Sequence, residues 1–373
     1  MDSYNLDNFE PAARIIVIGV GGAGNNAVNR MIDENISNVE FYVANTDKQA
    51  LSTSRARNRL ILGESITNGL GAGGEPSVGK EAAEASEKDI KQIVDKANMV
   101  FIAAGMGGGT GTGAAPVIAR IAKEAGALVI AIVTRPFTFE GKKRIAHSVE
   151  GLNNLRKEVD AIIVVSNDKL LMVNGNSAIS EAFSESDRVL AQSVKTVTDL
   201  ILMPAIINLD FADVRNTLKD SGVALIGFGV GEGPNRAQDA AQNAINSPLL
   251  EASIAGARKA IVSITCGPMV SLYEAQETVD RLIEAAGSTI DIKFGVSINA
   301  ELDDQILASV IASDFQEEYD FTNVPQYQAP IKPYSSRPIE PLNLDDEDKD
   351  EEGEEEKEED DILPSYLKDL NLN

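Results

Sequence analysis

The sequence has little cysteine and no long apolar run. Its 373 residues include one cysteine, Cys266, inside the apolar stretch AIVSITCG. One thiol cannot form a disulfide within the chain, so we expect a reduced, cytoplasmic protein in which Cys266 fills the core. No apolar run reaches the ~18 residues that suggest a membrane span, and we therefore expect no direct membrane insertion. The opening residues, MDSYNLDNFEPAA, lack the basic and apolar regions of a secretory signal.

Positive charge is also scarce. The chain carries 33 Lys and Arg against 58 Asp and Glu, a formal net charge of −25. Asp345–Asp361 holds fourteen acids and two lysines, which is −12, and leaves −13 on the other residues. A general nucleic-acid binder needs a basic face, so the charge excludes that class and we expect no nucleic-acid partner.

The ends of the chain differ in composition from the middle. Residues 316–361 are Pro-rich and polar and then strongly acidic, which predicts a disordered acidic linker, and we expect residues 1–12 to be disordered too. Residues 362–373, ILPSYLKDLNLN, become apolar again. Composition alone leaves two interpretations of this segment open, a short docking peptide or a frayed terminus.

Short apolar segments alternate with helical patterns along the rest of the chain. This alternation predicts an α/β fold with a parallel sheet. The predicted strands include RIIVIGV, VEFYVANTD, NMVFIAA, ALVIAIVT and DAIIVVSN, followed after a long helix by VALIGFGVG, RKAIVSITCG and IDIKFGVSIN. We therefore place one domain at residues 13–178, a central helix at 179–202 and a second α/β domain at 203–315.

The first of three glycine motifs is GVGGAG, Gly19–Gly24. It fits the G-x-G-x-x-G pattern after a strand and before a helix, and Asp47 ends the next strand. That arrangement is the dinucleotide-binding fingerprint. By itself it keeps open a nicotinamide-dependent oxidoreductase with a Rossmann fold.

The second motif, GEPSVGK at Gly74–Lys80, fits G-x-x-x-x-G-K. The next residue is Glu81, so the hydroxyl that would hold magnesium is missing, and no strand leads into the motif. We therefore reject it as a P-loop.

The third motif, GMGGGTGTGAAP at Gly105–Pro116, lies between a predicted strand and a predicted helix. Glycine lets the backbone approach a ligand closely, and successive N–H groups before a helix form an anion-binding nest. Thr110 and Thr112 add hydroxyl groups. Because a dehydrogenase needs one phosphate loop and this chain has two, the motifs favour a nucleoside di- or triphosphate shared between both loops.

The third motif also carries a resemblance. GGGTGTG at Gly107–Gly113 resembles the signature of the tubulin/FtsZ GTPase superfamily. Further stretches resemble the FtsZ family of bacterial cell-division proteins: GVGGAGNNAVNRM, NTDKQAL, GLGAGGEPSVGK, RPFTFEGKKR, SNDKLL, NLDFADVR and SPLLEASIAGA. The resemblance covers about residues 12–315 and extends to the order of acidic linker and terminal peptide.

The resemblance implies a fold and a function. The fold is a tubulin-like, Rossmann-type GTPase domain, a central helix, a second α/β domain and a disordered acidic tail. The function is that of a GTP-hydrolysing cytoskeletal protein that polymerises head to tail into filaments, and so into the division ring at mid-cell. Residues 362–373 would bind membrane-tethering and regulatory division proteins.

The resemblance also implies a set of GTP- and GDP-binding residues, which come from both glycine loops and from the segments that hold ribose and base. They are Gly22, Ala23, Gly24, Asn25, Asn26, Asn45, Gly105, Gly108, Gly109, Thr110, Gly111, Thr112, Glu140, Arg144, Asn167, Phe183 and Asp187. Phe183 would lie against the guanine face, and Asp187 would accept from its N1 and N2 groups. Asp168, beside Asn167, is expected to be structural.

Catalysis is expected from NLDFADVR. Asp210 and Asp213 lie three apart at a predicted helix start, and helix capping alone would explain them. In the FtsZ family this segment is the synergy loop, which implies that Asn208, Asp210 and Asp213 orient the attacking water for the next subunit's nucleotide. No motif marks the one histidine, His147, as a base, and Mg²⁺ on the phosphates would supply positive charge.

Two other functions remain as alternatives. The oxidoreductase explains GVGGAG and Asp47 but neither GGGTGTG nor NLDFADVR. A filament protein of the same superfamily that does not hydrolyse GTP would have little use for Asp210 and Asp213.

Overall fold

The computed structural model describes residues 13–173, 179–203, 205–287, 290–316 and 319–322. These residues form a mixed α/β structure around a ten-stranded sheet with the strand order β3-β2-β1-β4-β5-β6-β7-β10-β8-β9. Six strands belong to the first half of the chain: β1 Ile15–Val20, β2 Glu40–Asn45, β3 Asn58–Ile61, β4 Met99–Gly105, β5 Leu128–Arg135 and β6 Ala161–Ser166. Four belong to the second half: β7 Gly222–Gly231, β8 Ala257–Cys266, β9 Asp291–Ile298 and β10 Ile306–Phe315.

Twelve α-helices connect or cover these strands within the described residues. The helices before the central one are α1 Gly21–Asp33, α2 Lys48–Ser52, α3 Glu64–Thr67, α4 Pro76–Ala85, α5 Glu87–Val94, α6 Thr110–Glu124, α7 Lys142–Leu155 and α8 Asn167–Val173. The others are the central helix α9 Ile179–Leu202, then α10 Phe211–Leu218, α11 Arg236–Ile245 and α12 Leu272–Ala286.

The first six strands form a parallel sheet whose central members are fully buried. β1 is buried at every position because helices cover both of its faces, which explains its unbroken apolar sequence IIVIGV. β1 pairs with β2 on one side and β4 on the other. The chain order reverses between β1 and β4, and ligands of open α/β sheets bind at such a switch point, beyond the carboxyl ends of the strands.

The second half extends the same sheet. β6 and β7 join the two halves through three residue pairs, from Ala161–Gly222 to Ile163–Ala224. β10 lies antiparallel between β7 and β8, and β9 forms the edge beside β8. The predicted fold class is therefore confirmed, although the two predicted α/β regions share one continuous sheet.

The central helix links the two halves along its length. Its inward positions are buried in the core that also contains strands of both halves, including Val189, Val194 and Val197. It spans Ile179–Leu202, the same bounds as predicted. At 1.5 Å rise per residue, the nineteen steps from Phe183 to Leu202 cover about 28 Å.

One short segment differs from its predicted environment. Residues 319–322 fall in the stretch predicted as a disordered linker, yet Phe321 is buried in the apolar core of the first half. The Arg156 guanidinium lies 5.8 Å from the centre of the Phe321 ring, and its Nη1 donates to the Tyr319 carbonyl at 3.1 Å. These four residues therefore belong to the folded part, because two aromatic rings within three positions provide enough apolar surface to bury. Residues 1–12 and 323–373, including the predicted docking peptide, lie outside the described residues.

Candidate active site

The two glycine loops meet at the switch point of the sheet. The first follows β1 and the second follows β4, and these strands are paired from Ile15–Met99 to Val20–Ala104. Gly21 has φ +73°, and a Cβ there would lie 2.9 Å from the Gly111 nitrogen. A Cβ on Gly105 would lie 2.7 Å from the Ala23 Cβ. The loops thus touch at positions where only glycine fits, as two nests that share one ligand require.

Other glycines in the loops face empty space. A Cβ on Gly22 or on Gly108 would meet no heavy atom within 4 Å. Gly22 is exposed, whereas Gly24 and Asn25 behind it are buried. The loops therefore pack tightly on the protein side and stay open on the other, which is the form of a cradle for a ligand.

Both loops run directly into helices. α1 begins at Gly21, and α6 begins at Thr110 after the cap residue Gly109. The free N–H groups and the positive dipole end of each helix point back toward the cradle, which favours a polyphosphate. Gly111 lies in the first turn of α6, and Asn26 is exposed in the first two turns of α1.

The threonines of the second loop have different surroundings. The hydroxyls of Thr110 and Thr46 lie 2.7 Å apart, at a half-buried position beside the cradle. Thr112 is buried, and its Oγ1 accepts from the Gly107 nitrogen at 2.8 Å. Thr112 therefore fixes the shape of the loop. Asn45 is buried as well, and its Oδ1 accepts from the Asp47 nitrogen at 3.2 Å.

The segment after β5 connects several predicted site residues. One Glu140 carboxylate oxygen accepts from the Phe137 nitrogen at 2.9 Å, and the other pairs with the Arg144 guanidinium. Asp168 accepts from the Thr138 nitrogen at 2.8 Å and from its hydroxyl at 2.5 Å. Asp168 therefore holds the loop that carries Glu140.

The start of the central helix lies against the same segment. Ser186 donates to the Asn167 Oδ1 at 2.9 Å, and both side chains are buried. Phe137 packs edge-on against Phe183, with ring centres 5.1 Å apart, and stacks with Phe139 at 4.9 Å. Phe183 remains partly exposed, so this aromatic cluster presents an apolar face that a planar base can cover.

Asp187 lies one helical turn beyond Phe183 and is half-buried. Burial raises the pKa of this carboxyl to about 7, and the charge of Arg30 opposes the rise only in part. Desolvation outweighs the attraction of Arg30, so hydrogen-bond donors on a ligand would favour the ionised form of this carboxyl. Guanine offers two adjacent donors, and adenine does not.

The predicted catalytic residues lie at the other end of the central helix. Asp210 caps α10, and its Oδ1 accepts from the Asp213 nitrogen at 2.8 Å. Asn208 and Asp210 are exposed, and Asp213 is half-buried in the first turn of α10. The helix-capping interpretation of the two aspartates is thus confirmed, and it leaves the outer carboxylate atoms free to face solvent.

The comparisons with known proteins agree with this geometry. Residues 14–175 match the family model described as the Tubulin/FtsZ family GTPase domain, and residues 222–316 match the FtsZ family C-terminal domain. An empty FtsZ dimer from M. jannaschii is 38% identical with a TM-score of 0.79, and the match covers 85% of this chain and 95% of that one. The chain belongs to the FtsZ family.

Two other solved structures extend the comparison. The W319Y mutant of the M. jannaschii FtsZ is also 38% identical, with a TM-score of 0.80 and coverage of 84% and 96%. The GDP-bound CetZ1 monomer of Haloferax volcanii is 19% identical with a TM-score of 0.73 and coverage of 83% and 96%, and it shares the fold.

Membership of the FtsZ family defines the general activity. The chain carries a tubulin/FtsZ GTPase domain, so it binds guanine nucleotide, hydrolyses GTP and belongs to a cytoskeletal cell-division family. The oxidoreductase alternative is excluded. Asp47, which completed the dinucleotide-binding fingerprint, caps α2 instead, because its side chain accepts from the Gln49 nitrogen at 2.8 Å.

The rejected P-loop pattern has a structural explanation in this FtsZ-family fold. GEPSVGK forms the start of α4, which packs against the phosphate loop. A Cβ on Gly79 would lie 2.4 Å from the Gly109 carbonyl oxygen, and one on Gly113 would lie 1.9 Å from the Pro76 oxygen. Gly79 of that pattern and Gly113 of the third motif therefore allow α4 and α6 to pack closely behind the cradle.

The predicted set omits some residues of the site, although they lie within RPFTFEGKKR and NTDKQAL. Phe137 and Phe139 complete the aromatic cluster, and Thr46 reaches the hydroxyl of Thr110. The alternating aromatics of PFTFE are the one sequence signal for the cluster. No described helix is long and apolar enough to cross a membrane.

Proposed function

We propose that this protein polymerises head to tail and that each subunit completes the GTPase site of its neighbour. The observation that supports this proposal is that the central helix separates the two halves of the site. The base-binding residues lie at its start and the exposed Asp210 lies beyond its end, with about 28 Å of helix between Phe183 and Leu202. Asp210 cannot reach the nucleotide of its own chain, so its target is a nucleotide on another.

Exposed apolar side chains support a contact at each end of the molecule. Beside the nucleotide loops, the head face consists of Ile66, Leu70, Phe139 and Phe183. Beside the synergy loop, the tail face consists of Ile206, Met269, Leu272, Tyr273 and Ile298. Exposed apolar patches mark protein–protein contacts, and two different complementary faces produce an open filament.

Solved relatives support assembly of this kind. The similar M. jannaschii structure is described as an FtsZ dimer, and a Haloferax volcanii CetZ2 with the same fold is described as a GTPgS-bound protofilament. On our proposal, filaments of this chain form the division ring at mid-cell. Residues 362–373, which lie outside the described residues, would attach the filament to membrane-tethering and regulatory division proteins.

In the proposed mechanism the protein positions the reacting groups, and most of the charge in the site belongs to the phosphates of the nucleotide. Phosphates would lie over Gly22, Gly108 and Thr110. A Cβ on either glycine would meet no heavy atom within 4 Å, and the Thr110 hydroxyl lies beside them, 2.7 Å from the hydroxyl of Thr46. Asn208, Asp210 and Asp213 of the next subunit would orient the attacking water. The GDP product would then weaken the contact between the subunits.

Magnesium fits the donor set of this site. Neither glycine loop contains a lysine or arginine, and the described residues contain no cluster of three or more His, Cys, Asp or Glu side chains. The site therefore suits an ion held mainly by phosphate oxygens and water rather than by a protein cage. Mg²⁺ would neutralise charge on the β- and γ-phosphates.

The test uses Asp210→Asn in assembled protein. Asparagine caps helices as well as aspartate does, so α10 should stay intact while the carboxylate is lost. We expect GTP turnover per sedimented subunit to fall at least ~100-fold, the range seen when a positioned catalytic group is removed. GTP affinity should not change.

Asp239→Asn is the matched control, because Asp239 is an exposed acid in the first turn of α11. Its turnover should equal that of wild type. Undiminished turnover in Asp210→Asn would contradict the proposal and would favour a self-contained GTPase. Absence of turnover in the wild-type filament would favour the non-hydrolysing alternative.

A further inference from the structure

The edge strand β9 contacts the two residues that lead into the synergy loop, Ile206 and Ile207. Val296 accepts from the nitrogens of Ile206 and Ile207, at 2.9 and 3.2 Å, and donates to the Ile207 carbonyl at 3.0 Å. β9 pairs with β8 on its other side, so the loop covers part of its free edge. This pairing fixes the backbone one residue before Asn208.

Gly295 lies where β9, the central helix and the loop come together. A Cβ at this position would lie 2.6 Å from the Leu200 Cδ2 and 3.2 Å from the Ile207 oxygen. Leu200 is buried in the last turn of the central helix. A methyl group at this junction therefore fits only if the Leu200 side chain or the Ile207 backbone shifts.

The synergy loop is anchored in the core at a second point, just after the residues that pair with β9. Leu209 is buried in the main core, whereas Asn208 and Asp210 on either side of it are exposed. Ile207 is half-buried against the core that contains Val296. This alternation is that of a strand, and it directs the side chains of Asn208 and Asp210, two of the three predicted catalytic residues, to the same outer side.

We propose that Gly295 and Val296 are positioning residues for GTP hydrolysis in the neighbouring subunit. They fix the position and the direction in which the side chains of Asn208 and Asp210 project from the protein surface. The inference rests on the proposed function, since it assigns these residues to the synergy loop's action in trans. A small displacement of a positioned group lowers turnover strongly without affecting ground-state binding.

The first variant is Gly295→Ala, measured at protein concentrations where almost all subunits sediment. The added methyl group must displace Leu200 or Ile207, so we expect turnover per sedimented subunit to fall about tenfold. The Kd for GDP should remain the same, because the nucleotide loops lie at the other end of the central helix. Amide hydrogen exchange at Ile206, Ile207 and Val296 should become faster.

Ser297→Ala is the matched control. It removes the hydroxyl that lies 3.1 Å from the Thr265 Oγ1, and so weakens the contact of β9 with β8 but not with the loop. A general loss of strand stability would lower turnover in both variants. On our inference Ser297→Ala retains wild-type turnover and wild-type exchange at Ile207.

Val296→Pro provides a second variant if Gly295→Ala does not fold. Proline removes the one nitrogen that donates to Ile207, and an edge strand tolerates proline where its N–H points away from the sheet. The same tenfold loss of turnover is expected. Full turnover in either folded variant overturns the inference.

Asp210→Asn in the same series separates this inference from the proposed function. Loss of turnover in Asp210→Asn with full turnover in Gly295→Ala would reject only the positioning role. Full turnover in Asp210→Asn would reject catalysis in trans, and the positioning role with it.

Discussion

Asp187 gives the site a pH dependence that can be predicted from the structure. Its carboxyl is half-buried on the central helix, and burial raises its pKa to about 7, against an ordinary value near 4. On our proposal the ionised form would accept from both guanine donors, whereas the neutral form, with one O–H donor, could not accept from both. Guanine binding should therefore strengthen as pH rises through 7 and weaken as pH falls below it.

The size of the effect follows from the ionised fraction. With a pKa of about 7, roughly 90% of Asp187 is ionised at pH 8 and roughly 10% at pH 6. If only the ionised form binds guanine, the affinity for GDP falls about tenfold from pH 8 to pH 6. This corresponds to about 1.4 kcal/mol of binding free energy.

The assay is GDP binding at pH 6, 7 and 8, below the concentration at which filaments form. The terminal phosphate of GDP also titrates near pH 6, so Asp187→Asn supplies the baseline. The ratio of wild-type to variant affinity for GDP should rise about tenfold from pH 6 to pH 8. Asparagine also presents a donor, so the variant should prefer xanthine, which has an oxygen at position 2, over guanine.

Two controls make the assignment specific. Asp199→Asn changes another carboxyl of the same helix whose pKa is raised by burial, three turns further along. His147→Gln removes the one histidine. Both should keep the wild-type profile. Parallel profiles in wild type and Asp187→Asn would refute the claim that Asp187 binds the guanine edge in its ionised form.

Three further changes test the packing and the faces of the molecule. Gly113→Ala places a methyl group 1.9 Å from the Pro76 oxygen, so it should lower the free energy of unfolding by about 1–3 kcal/mol in urea titrations and weaken GDP binding. Phe321→Ala should lower the free energy of unfolding by about 3–5 kcal/mol because the ring is fully buried. An unchanged urea midpoint would contradict the packing of residues 319–322. Tyr273→Glu, on an 85% exposed side chain of the tail face, should raise the critical concentration while GDP affinity and unfolding stay as in wild type.

The cradle could be predicted from the sequence because its determinants are local. A buried strand, a run of glycine and the start of a helix are adjacent in the chain, once at Gly19–Gly24 and once at Gly105–Gly113. Parallel strands place their carboxyl ends at one edge of the sheet, so two such units meet without further information.

Other parts of the site depend on distant pairs that no local pattern specifies. Ile207 pairs with Val296, and Gly79 packs against Gly109. In both cases a single glycine or a backbone hydrogen bond connects segments that are far apart in the chain. These contacts become visible only when the elements are in place.

The sequence pattern does not predict two of the strands, β3 and β10, for different reasons. β3 has four residues, two of them exposed, so its apolar signal is short. β10 is apolar but lies antiparallel between β7 and β8, and its position depends on pairings formed much earlier in the chain.

The most direct test of catalysis between subunits is the rate of GTP hydrolysis as a function of protein concentration in the wild type. If the neighbouring subunit completes the site, hydrolysis should be absent below a threshold and should rise linearly above it, at the concentration where filaments first sediment. A rate proportional to concentration from the lowest concentration upward would contradict the account, because a single subunit would then contain the whole site.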